Sequence, residues 1–255
     1  LRRSRLDAEL LRRELVSSLD EARQRIADCR VLVGGAVATK ETRLVSAADP
    51  VVVLPPAARF VSRGGEKLDA ALESFGLSVL GRRVLDAGAS TGGFTDCLLQ
   101  RGAAQVVAVD VGHGQLHPRI RADGRVVVLE HVHVRDLSLE AIGGPVSLVV
   151  ADLSFISLRS VLGALLRVCQ PEPPFVAEAV LLVKPQFEAT DEEVSRGRGV
   201  ITDPLIHRRV RHEIDQAIVD LGSTALGWID SPLTGGHGNL EMLVHVGLGR
   251  TGCEP

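Results

Sequence analysis

Four polar residues combine types and settings suited to proton handling: Lys67, Asp152, Lys184 and Glu241. Asp152 follows the apolar run Leu148-Val149-Val150-Ala151, and Lys184 follows Val180-Leu181-Leu182-Val183. Glu241 follows Gly238-Asn239-Leu240 at the start of a late apolar run. Lys67 follows Ser62-Arg63-Gly64-Gly65-Glu66, where a helix opens. Burying an ammonium is costly unless it is paired. Asp152 is therefore the expected partner of Lys184, Glu241 is a second, and Lys67 can reach the same cavity. A lysine held between carboxylates can orient an attacking oxygen. It can take the proton only if desolvation or repulsion from Lys67 favours its neutral form, and the carboxylates oppose this. The alternative is a purely structural ion-pair network.

Between Lys67 and Asp152 lies Asp86-Ala87-Gly88-Ala89-Ser90-Thr91-Gly92-Gly93-Phe94, a glycine turn at the end of the strand Val84-Leu85-Asp86. The first turn of an open α/β sheet is where an extended cofactor crosses. The pattern DxGxSxGG departs from the dinucleotide fingerprint GxGxxG, so a cofactor without a pyrophosphate fits better. S-adenosyl-L-methionine is the candidate. Gly88, Gly92 and Gly93 allow close backbone approach, with Ser90 and Phe94 in the same turn, and Asp86 can hold an ammonium group. Asp110 ends the next strand, 24 residues after Asp86, where a carboxylate can accept from ribose hydroxyls. Asp136, or the stretch Glu130-His131, is expected near the adenine; Asp136 is alternatively a cap for a helix near Ser138.

A sulfonium cofactor carries its own leaving group, so methyl transfer to a hydroxyl requires no metal. It needs in-line placement and removal of the hydroxyl proton. Pro185-Gln186-Phe187-Glu188 superficially copies the Asn/Asp-Pro-Pro-aromatic motif of base-amine methyltransferases. Lys184 stands where those enzymes have Asn or Asp, which favours O-methylation over N-methylation.

These residues must be positioned by an α/β domain. Strands are expected at 84–86, 106–110, 126–129, 146–151 and 179–183, with helices at 68–75, 94–101, 157–168 and 204–221. The pair 224–229 and 240–246 should add an antiparallel edge to a mostly parallel, Rossmann-like sheet covered on both faces. Residues 188–203, charged and glycine-punctuated, read as a mobile substrate loop or a disordered crossing.

Ahead of this domain the spacing predicts a helix over 5–15, with Leu6, Leu10, Leu11 and Leu15 on one face. A second is predicted over 20–29, with Leu19, Ala22, Ile26 and Ala27 on its apolar side. Arg30 to Val37 reads as a strand, a Gly-Gly turn and a strand, a pattern repeated more weakly over 42–54. Pro55-Pro56-Ala57-Ala58 reads as a linker, giving a small α+β module over 1–58 and a catalytic domain over 59–255. Arg5, Arg12, Arg13, Arg23, Arg25 and Arg30 could form a positive face over RNA phosphates, joined by Arg63, Arg196 and Arg198. The bland reading of these arginines is solvated surface.

Charge supports the division. Residues 1–63 hold 12 Lys/Arg against 8 Asp/Glu, a net +4; residues 64–255 hold 17 against 24, a net −7. A basic module on an acidic domain fits a polyanionic partner. Aromatics are 3% of the chain and Tyr is absent, so contacts to phosphate, sugar and shape are favoured over extensive base stacking. The four cysteines form no CxxC pair and no metal-ligand spacing, as expected of free thiols in a reducing, cytoplasmic compartment. No run approaches the ~20 apolar residues of a membrane span, and the basic start leads into no signal-peptide core.

Taken in order, these segments resemble the TlyA-type family of hemolysin-like ribosomal RNA 2′-O-methyltransferases. The matching segments include Arg5-Leu6-Asp7, Arg30-Val31-Leu32-Val33, Ser62 to Leu68, Leu85 to Thr95 and Asp110 to Leu116. They continue with Asp152-Leu153-Ser154-Phe155-Ile156-Ser157, Val183 to Glu188, Ser231 to Gly235 and Gly238 to Glu241. The resemblance implies an S4-like RNA-binding domain followed by an FtsJ-like methyltransferase domain. It implies that Lys67, Asp152, Lys184 and Glu241 are the Lys-Asp-Lys-Glu set of that class. It also implies cytidine riboses as substrate, in ribosomal RNA of the small (30S) and in some members the large (50S) subunit. His133, where relatives often have Asn, and Gly34, in a turn that usually holds Asn, depart from the pattern without touching that set. Two alternatives stand beside this reading: an O-methyltransferase for another RNA, and a ribosome-binding assembly factor with vestigial catalysis. Membrane lysis, which the family name invites, finds no spanning segment to support it. A monomer is the default expectation.

Overall fold

The computed structural model describes residues 3–55 and 58–249. Pro56 and Ala57 of the expected linker are thus outside the described residues, as is Cys253; Cys29, Cys97 and Cys169 are free thiols. The chain divides into two compact units, 1–58 and 59–255.

The first unit contains strand β1 (Arg3–Arg5), helices α1 (Leu6–Arg12) and α2 (Leu19–Ala27), and short strands β2 (Val31–Val33), β3 (Ala36–Val37), β4 (Leu44–Ser46) and β5 (Val51–Val53). Ser18 caps α2 by accepting from the Glu21 N–H, satisfying one of the donors a helix start leaves free. Leu6, Leu10, Ala22, Ile26, Val31 and Val33 form the core. The first helix is shorter than its leucine spacing predicts. It stops at Arg12, Glu14 takes a positive φ of 56°, and Leu11, Leu15 and Leu19 are exposed. The weaker strand pair over 42–54 is not a hairpin. β4 pairs with β1, whereas β5 pairs with β2 on the side opposite β3.

The second unit opens with α3 (Gly64–Ser74), β6 (Arg83–Ala87), α4 (Gly93–Gln100), β7 (Gln105–Asp110), α5 (Pro118–Arg121), β8 (Val126–Glu130) and β9 (Leu148–Ala151). It continues with α6 (Leu162–Arg167), β10 (Glu178–Val183), α7 (Pro185–Glu188), α8 (Asp191–Arg196), α9 (Pro204–Asp220), β11 (Thr224–Asp230) and β12 (Met242–Gly247). Seven strands form one sheet in the order β11-β12-β10-β9-β6-β7-β8. Its five central and right-hand strands are parallel; β12 runs antiparallel to β10 and β11 antiparallel to β12.

Successive side chains of a strand point to opposite faces, and both faces here are apolar. Leu85, Val107, Val149, Leu181 and Val244 pack with α6 and α9. Val84, Val106, Leu148, Val180 and Leu243 pack with α3 and α4. This two-sided burial is why the strands read as continuous apolar runs rather than alternating ones.

Two expectations need correction. Residues 188–203 are not a structureless loop: α8 lies within them, closed by a capping box in which the Thr190 side chain accepts from the Glu193 N–H and Glu193 bonds back to the Thr190 N–H. The helix expected over 157–168 is interrupted, with a 3-10 turn at Leu158–Ser160 before α6.

Candidate active site

Sheet topology brings the dispersed residues to one edge. Asp152 directly follows β9, Lys184 follows β10, and the glycine turn follows β6, so all three leave the carboxyl ends of neighbouring parallel strands. β12 runs the other way, and Val183 is paired with Met242. The residue before Met242, Glu241, therefore lies opposite Lys184 at the same edge. The carboxyl edge is where open α/β sheets bind ligands.

The four polar residues form two ion pairs. Lys184 Nζ lies 2.6 Å from Asp152 Oδ1 and donates to Ser154 Oγ at 3.0 Å. Lys67 Nζ donates to Glu241 Oε2 at 2.5 Å, and both residues are buried. Lys67 sits in the first turn of α3, which packs on α4, the helix opened by the glycine turn. Lys184 thus pairs with Asp152 as its setting predicted, while Glu241 is taken by Lys67.

A cavity of about 150 Å³ lies beside the first pair, lined by Ser62, Gly64, Gly88, Ser90, Phe94, Asp152 and Lys184 among others. Gly88 has φ 82°, and a Cβ there would sit 2.5 Å from the Asp152 carbonyl oxygen. At Gly93 a Cβ would meet Ser62 Oγ at 2.1 Å. Only glycine permits these approaches. Gly92, also at positive φ, caps α4, and Phe94 is buried. A smaller hollow next to it is lined by Ser90, Asp110, Gln115 and Glu130.

Asp86 lies wholly buried under this turn. Thr95 Oγ1 donates to its Oδ2 at 2.6 Å, whereas Oδ1 has no hydrogen-bond partner. Burial pushes its carboxyl up to about 7, an effect the Thr95 bond opposes and the neighbouring Asp152 and Asp110 charges reinforce. Asp110 accepts from the Ser90 N–H through Oδ2 and from the Gly112 N–H through Oδ1, each at 2.7 Å. A carboxylate has about four lone-pair sites, so each oxygen can still accept once more. Glu130 receives the Gly114 N–H at 2.9 Å and pairs with Arg121, whose hydrogen bond holds its carboxyl below the usual range. Asp136 is an exposed residue in a 3-10 turn and lines neither cavity. Of the two candidates for the adenine end, Glu130 lines the smaller hollow and Asp136 does not.

The arginines divide by their partners. Arg13 is committed to the fold: it binds Glu9 and the carbonyls of Ser46 and Asp49, so it is a structural residue rather than a phosphate contact. Arg12 pairs with Glu9, Arg5 and Arg23 with Asp7 and Glu41, Arg25 with Glu21, and Arg196 with Glu192. Arg30 donates to the Pro55 carbonyl. The positive face expected on the first unit is thus interleaved with carboxylates. Arg63 is exposed at the N-cap of α3, next to Ser62 and Gly64 of the cavity lining, and Arg198 takes a positive φ of 51°.

Phe155 was missed. It is 91% exposed at φ 63°, and its ring is tilted against Phe187 with centroids 5.5 Å apart. An apolar ring held in solvent three residues from Asp152 can stack on a planar group. Its only sequence signal was an aromatic between an acidic strand end and a serine.

Among the described residues no helix is long and apolar enough to cross a membrane, and no group of three His, Cys, Asp or Glu is placed to hold a metal ion. The family model of FtsJ-like methyltransferases matches residues 60–248. The 16S/23S rRNA (cytidine-2′-O)-methyltransferase TlyA of Mycobacterium tuberculosis is 49% identical over 95% of this chain and 89% of that protein. Hemolysin A of Brachyspira hyodysenteriae is 38% identical over 86% of this chain and 89% of its own length. A solved structure of a hemolysin-like protein from Streptococcus thermophilus superposes with TM-score 0.72 at 35% identity, covering 97% of this chain and 89% of that one. With this sheet, its glycine turn and these relatives, the chain belongs to the FtsJ-like methyltransferases, in the group typified by TlyA.

Proposed function

We propose that the chain methylates the 2′-hydroxyl of a cytidine ribose in ribosomal RNA, using S-adenosyl-L-methionine. The observation that carries this is the Lys184–Asp152 pair at the lip of a glycine-lined cavity. It is supported by the 16S/23S rRNA (cytidine-2′-O)-methyltransferase name of the 49% identical relative.

The residues present fit the cofactor. Gly88 and Gly93 line the cavity and bring the turn closer to Asp152 and Ser62 than a Cβ would allow. Asp86, with Oδ1 unpartnered, lies buried beneath the turn and lines neither cavity, so its charge would favour the ammonium group through its field rather than by contact. Asp110 and Glu130 offer acceptors at the nucleoside end. When bound, S-adenosylmethionine supplies a methyl group on a positively charged sulfur, a leaving group that needs no metal. The protein's part is then to place the hydroxyl and manage its proton. Lys184 has three N–H donors; Ser154 accepts from one, and Asp152 Oδ1 lies 2.6 Å away as an ion partner without hydrogen-bond geometry. A remaining donor can hold the attacking oxygen in line. The Asp152 partner at 2.6 Å fixes the geometry of Lys184, which suits it to orient the attacking oxygen. The Lys67–Glu241 pair braces the start of α3 against the same sheet edge.

The first unit is proposed to be an S4-like RNA-binding domain. Its exposed Arg5, Arg12 and Arg23 and half-buried Arg25 and Arg30, with Arg63, Arg196 and Arg198 of the second unit, would contact phosphates. The substrate is proposed to be the 30S subunit, with the 50S subunit as a second, met by a monomer in the cytoplasm. Phe155 offers a stacking surface to a base splayed from its helix. Lys184→Ala tests the reading: methyl transfer should be abolished and RNA binding retained, whereas an unchanged rate would overturn the role given to Lys184.

A further inference from the structure

We propose that Glu188 is a positioning residue for methyl transfer, clamping the loop that carries Lys184 to the loop that carries Asp152. This rests on the function proposed above for the Lys184–Asp152 pair. β9 and β10 are parallel neighbours, with Leu181 in register with Ala151. Their backbone ladder ends there, and two loops leave it side by side: Asp152 to Ser157, and Lys184 to Glu188. Beyond the ladder, side chains hold them together at three levels. Lys184 reaches Asp152 and Ser154 at the base. The rings of Phe155 and Phe187 meet in the middle. Glu188 closes the far end.

The Glu188 carboxylate is nearly saturated by the opposite loop. Oε1 accepts from the Leu158 N–H at 2.5 Å, and Oε2 accepts from Ser157 Oγ at 2.7 Å and Arg159 Nε at 3.0 Å. The Glu188 carbonyl also accepts from Arg159 Nη2 at 3.2 Å. Arg159 continues through Glu213 at 2.7 Å to α9, which anchors the clamp to the core. Glu188 is only 4% exposed and does not line the cavity. It cannot touch the reacting atoms, so any effect on the reaction passes through Lys184 and Asp152.

Two features call for such a clamp. α7 is a single turn of four residues, too short to be stable by its own hydrogen bonds. Phe155 holds a left-handed φ of 63°, a conformation that persists in a bulky residue only where the surroundings over-determine it. Glu188 sits at the C-terminal end of that turn and binds just beyond that phenylalanine. Without its carboxylate, the loops would still be joined by Lys184–Asp152 and the phenylalanine rings, but the far ends would keep only the bond from Arg159 to the Glu188 carbonyl. A misplacement of about 1 Å in a reacting geometry can lower a rate by about 10²-fold.

The test uses the full chain with Glu188→Ala, Glu188→Gln and Ser157→Ala, measured for kcat, for KM of both substrates, and for backbone hydrogen exchange. Glu188→Ala should lower kcat by about 10²-fold and leave the cofactor KM within about 3-fold, because the glycine turn is untouched. Glu188→Gln should recover part of the loss, since its carbonyl oxygen still accepts from the Leu158 N–H and its amide can donate to Ser157 Oγ, although that amide cannot accept from Arg159 Nε. Ser157→Ala, which removes one link and keeps the carboxylate, should show a smaller loss of kcat in the same direction; it stands in if Glu188→Ala folds poorly. Exchange should quicken together over 153–160 and 184–190 in Glu188→Ala. A wild-type kcat in Glu188→Ala would overturn the proposal. So would glutamine rescuing no better than alanine, or faster exchange confined to one loop. Should wild-type protein transfer no methyl to ribosomal RNA, the substrate reading fails, and the exchange measurement still decides the clamp.

Discussion

Replacing Asp86 by asparagine should change how the protein's stability depends on pH. Asp86 is fully buried with one oxygen unpartnered, and its carboxyl is raised from the ordinary 3.8 to about 7. The folded state therefore holds the proton more tightly than the unfolded chain. Below pH 4 both states are protonated and the residue exerts no pH-dependent effect. As pH climbs toward 7 the unfolded chain has released its proton and the folded state has not, so stability falls across that window and levels off above it. Each pKa unit is worth about 1.4 kcal/mol, so the whole penalty reaches on the order of 4 kcal/mol at pH 8 and about 2 kcal/mol at pH 5. Asparagine keeps an acceptor for Thr95 and carries no charge, so any penalty from its own amide is constant with pH. The advantage of Asp86→Asn over wild type should thus grow by roughly 2–3 kcal/mol between pH 5 and pH 8, or about 5–10 °C in Tm for a unit of this size. Melting curves of cofactor-free wild type and variant at pH 5, 6, 7 and 8 provide the assay. Curves that stay parallel across this range would refute the reasoning, because they would mean that Asp86 titrates alike in both states.

Other perturbations test the remaining parts of the site. In wild type, S-adenosylmethionine should bind more tightly as pH rises toward about 7, since its ammonium group favours the ionised Asp86; calorimetry in buffers of different ionisation heat should register the released proton, and Asp86→Asn should abolish both effects. Gly88→Ala places a Cβ 2.5 Å from the Asp152 carbonyl at φ 82°, so cofactor affinity measured by calorimetry should fall at least 10-fold, a loss of ~1.4 kcal/mol or more. Glu241→Ala leaves the Lys67 ammonium buried without its partner at 2.5 Å; chemical denaturation should give a loss of about 3–5 kcal/mol, largely recovered when Lys67→Met is added. Lys184→Ala should lower the rate by at least ~10²-fold, with RNA retention on filters unchanged.

Much of the catalytic unit was legible because its strands are buried on both faces. Leu148–Ala151 and Glu178–Val183 are almost unbroken apolar runs, and the charge that ends each marks the sheet edge where Asp152 and Lys184 stand. The glycine turn was equally plain, since Gly88 and Gly93 occupy positions that no side chain could share. Pairing between distant elements was harder to read. Nothing local says that Glu241 bonds Lys67 rather than Lys184, because the choice depends on how α3 settles against the sheet. In the first unit, β4 and β5 are three residues each, and such short runs do not encode whether they pair together or with β1 and β2. The signal for α8 was present in the spacing of Thr190 and Glu193, which is that of a capping box; the surrounding charges and glycines masked it. Phe155 and Glu188 were overlooked for a common reason. Their significance lies in a contact between two loops, which no periodicity records.

The central claim is tested most directly by incubating purified protein with S-adenosylmethionine labelled in its methyl group and, separately, unmodified 30S and 50S subunits, followed by mass spectrometry of the nucleosides. Label is expected in 2′-O-methylcytidine from the 30S subunit, with the 50S subunit showing whether a second site is used. Intact cofactor binding with no label in either RNA, or label on a base nitrogen, would contradict it.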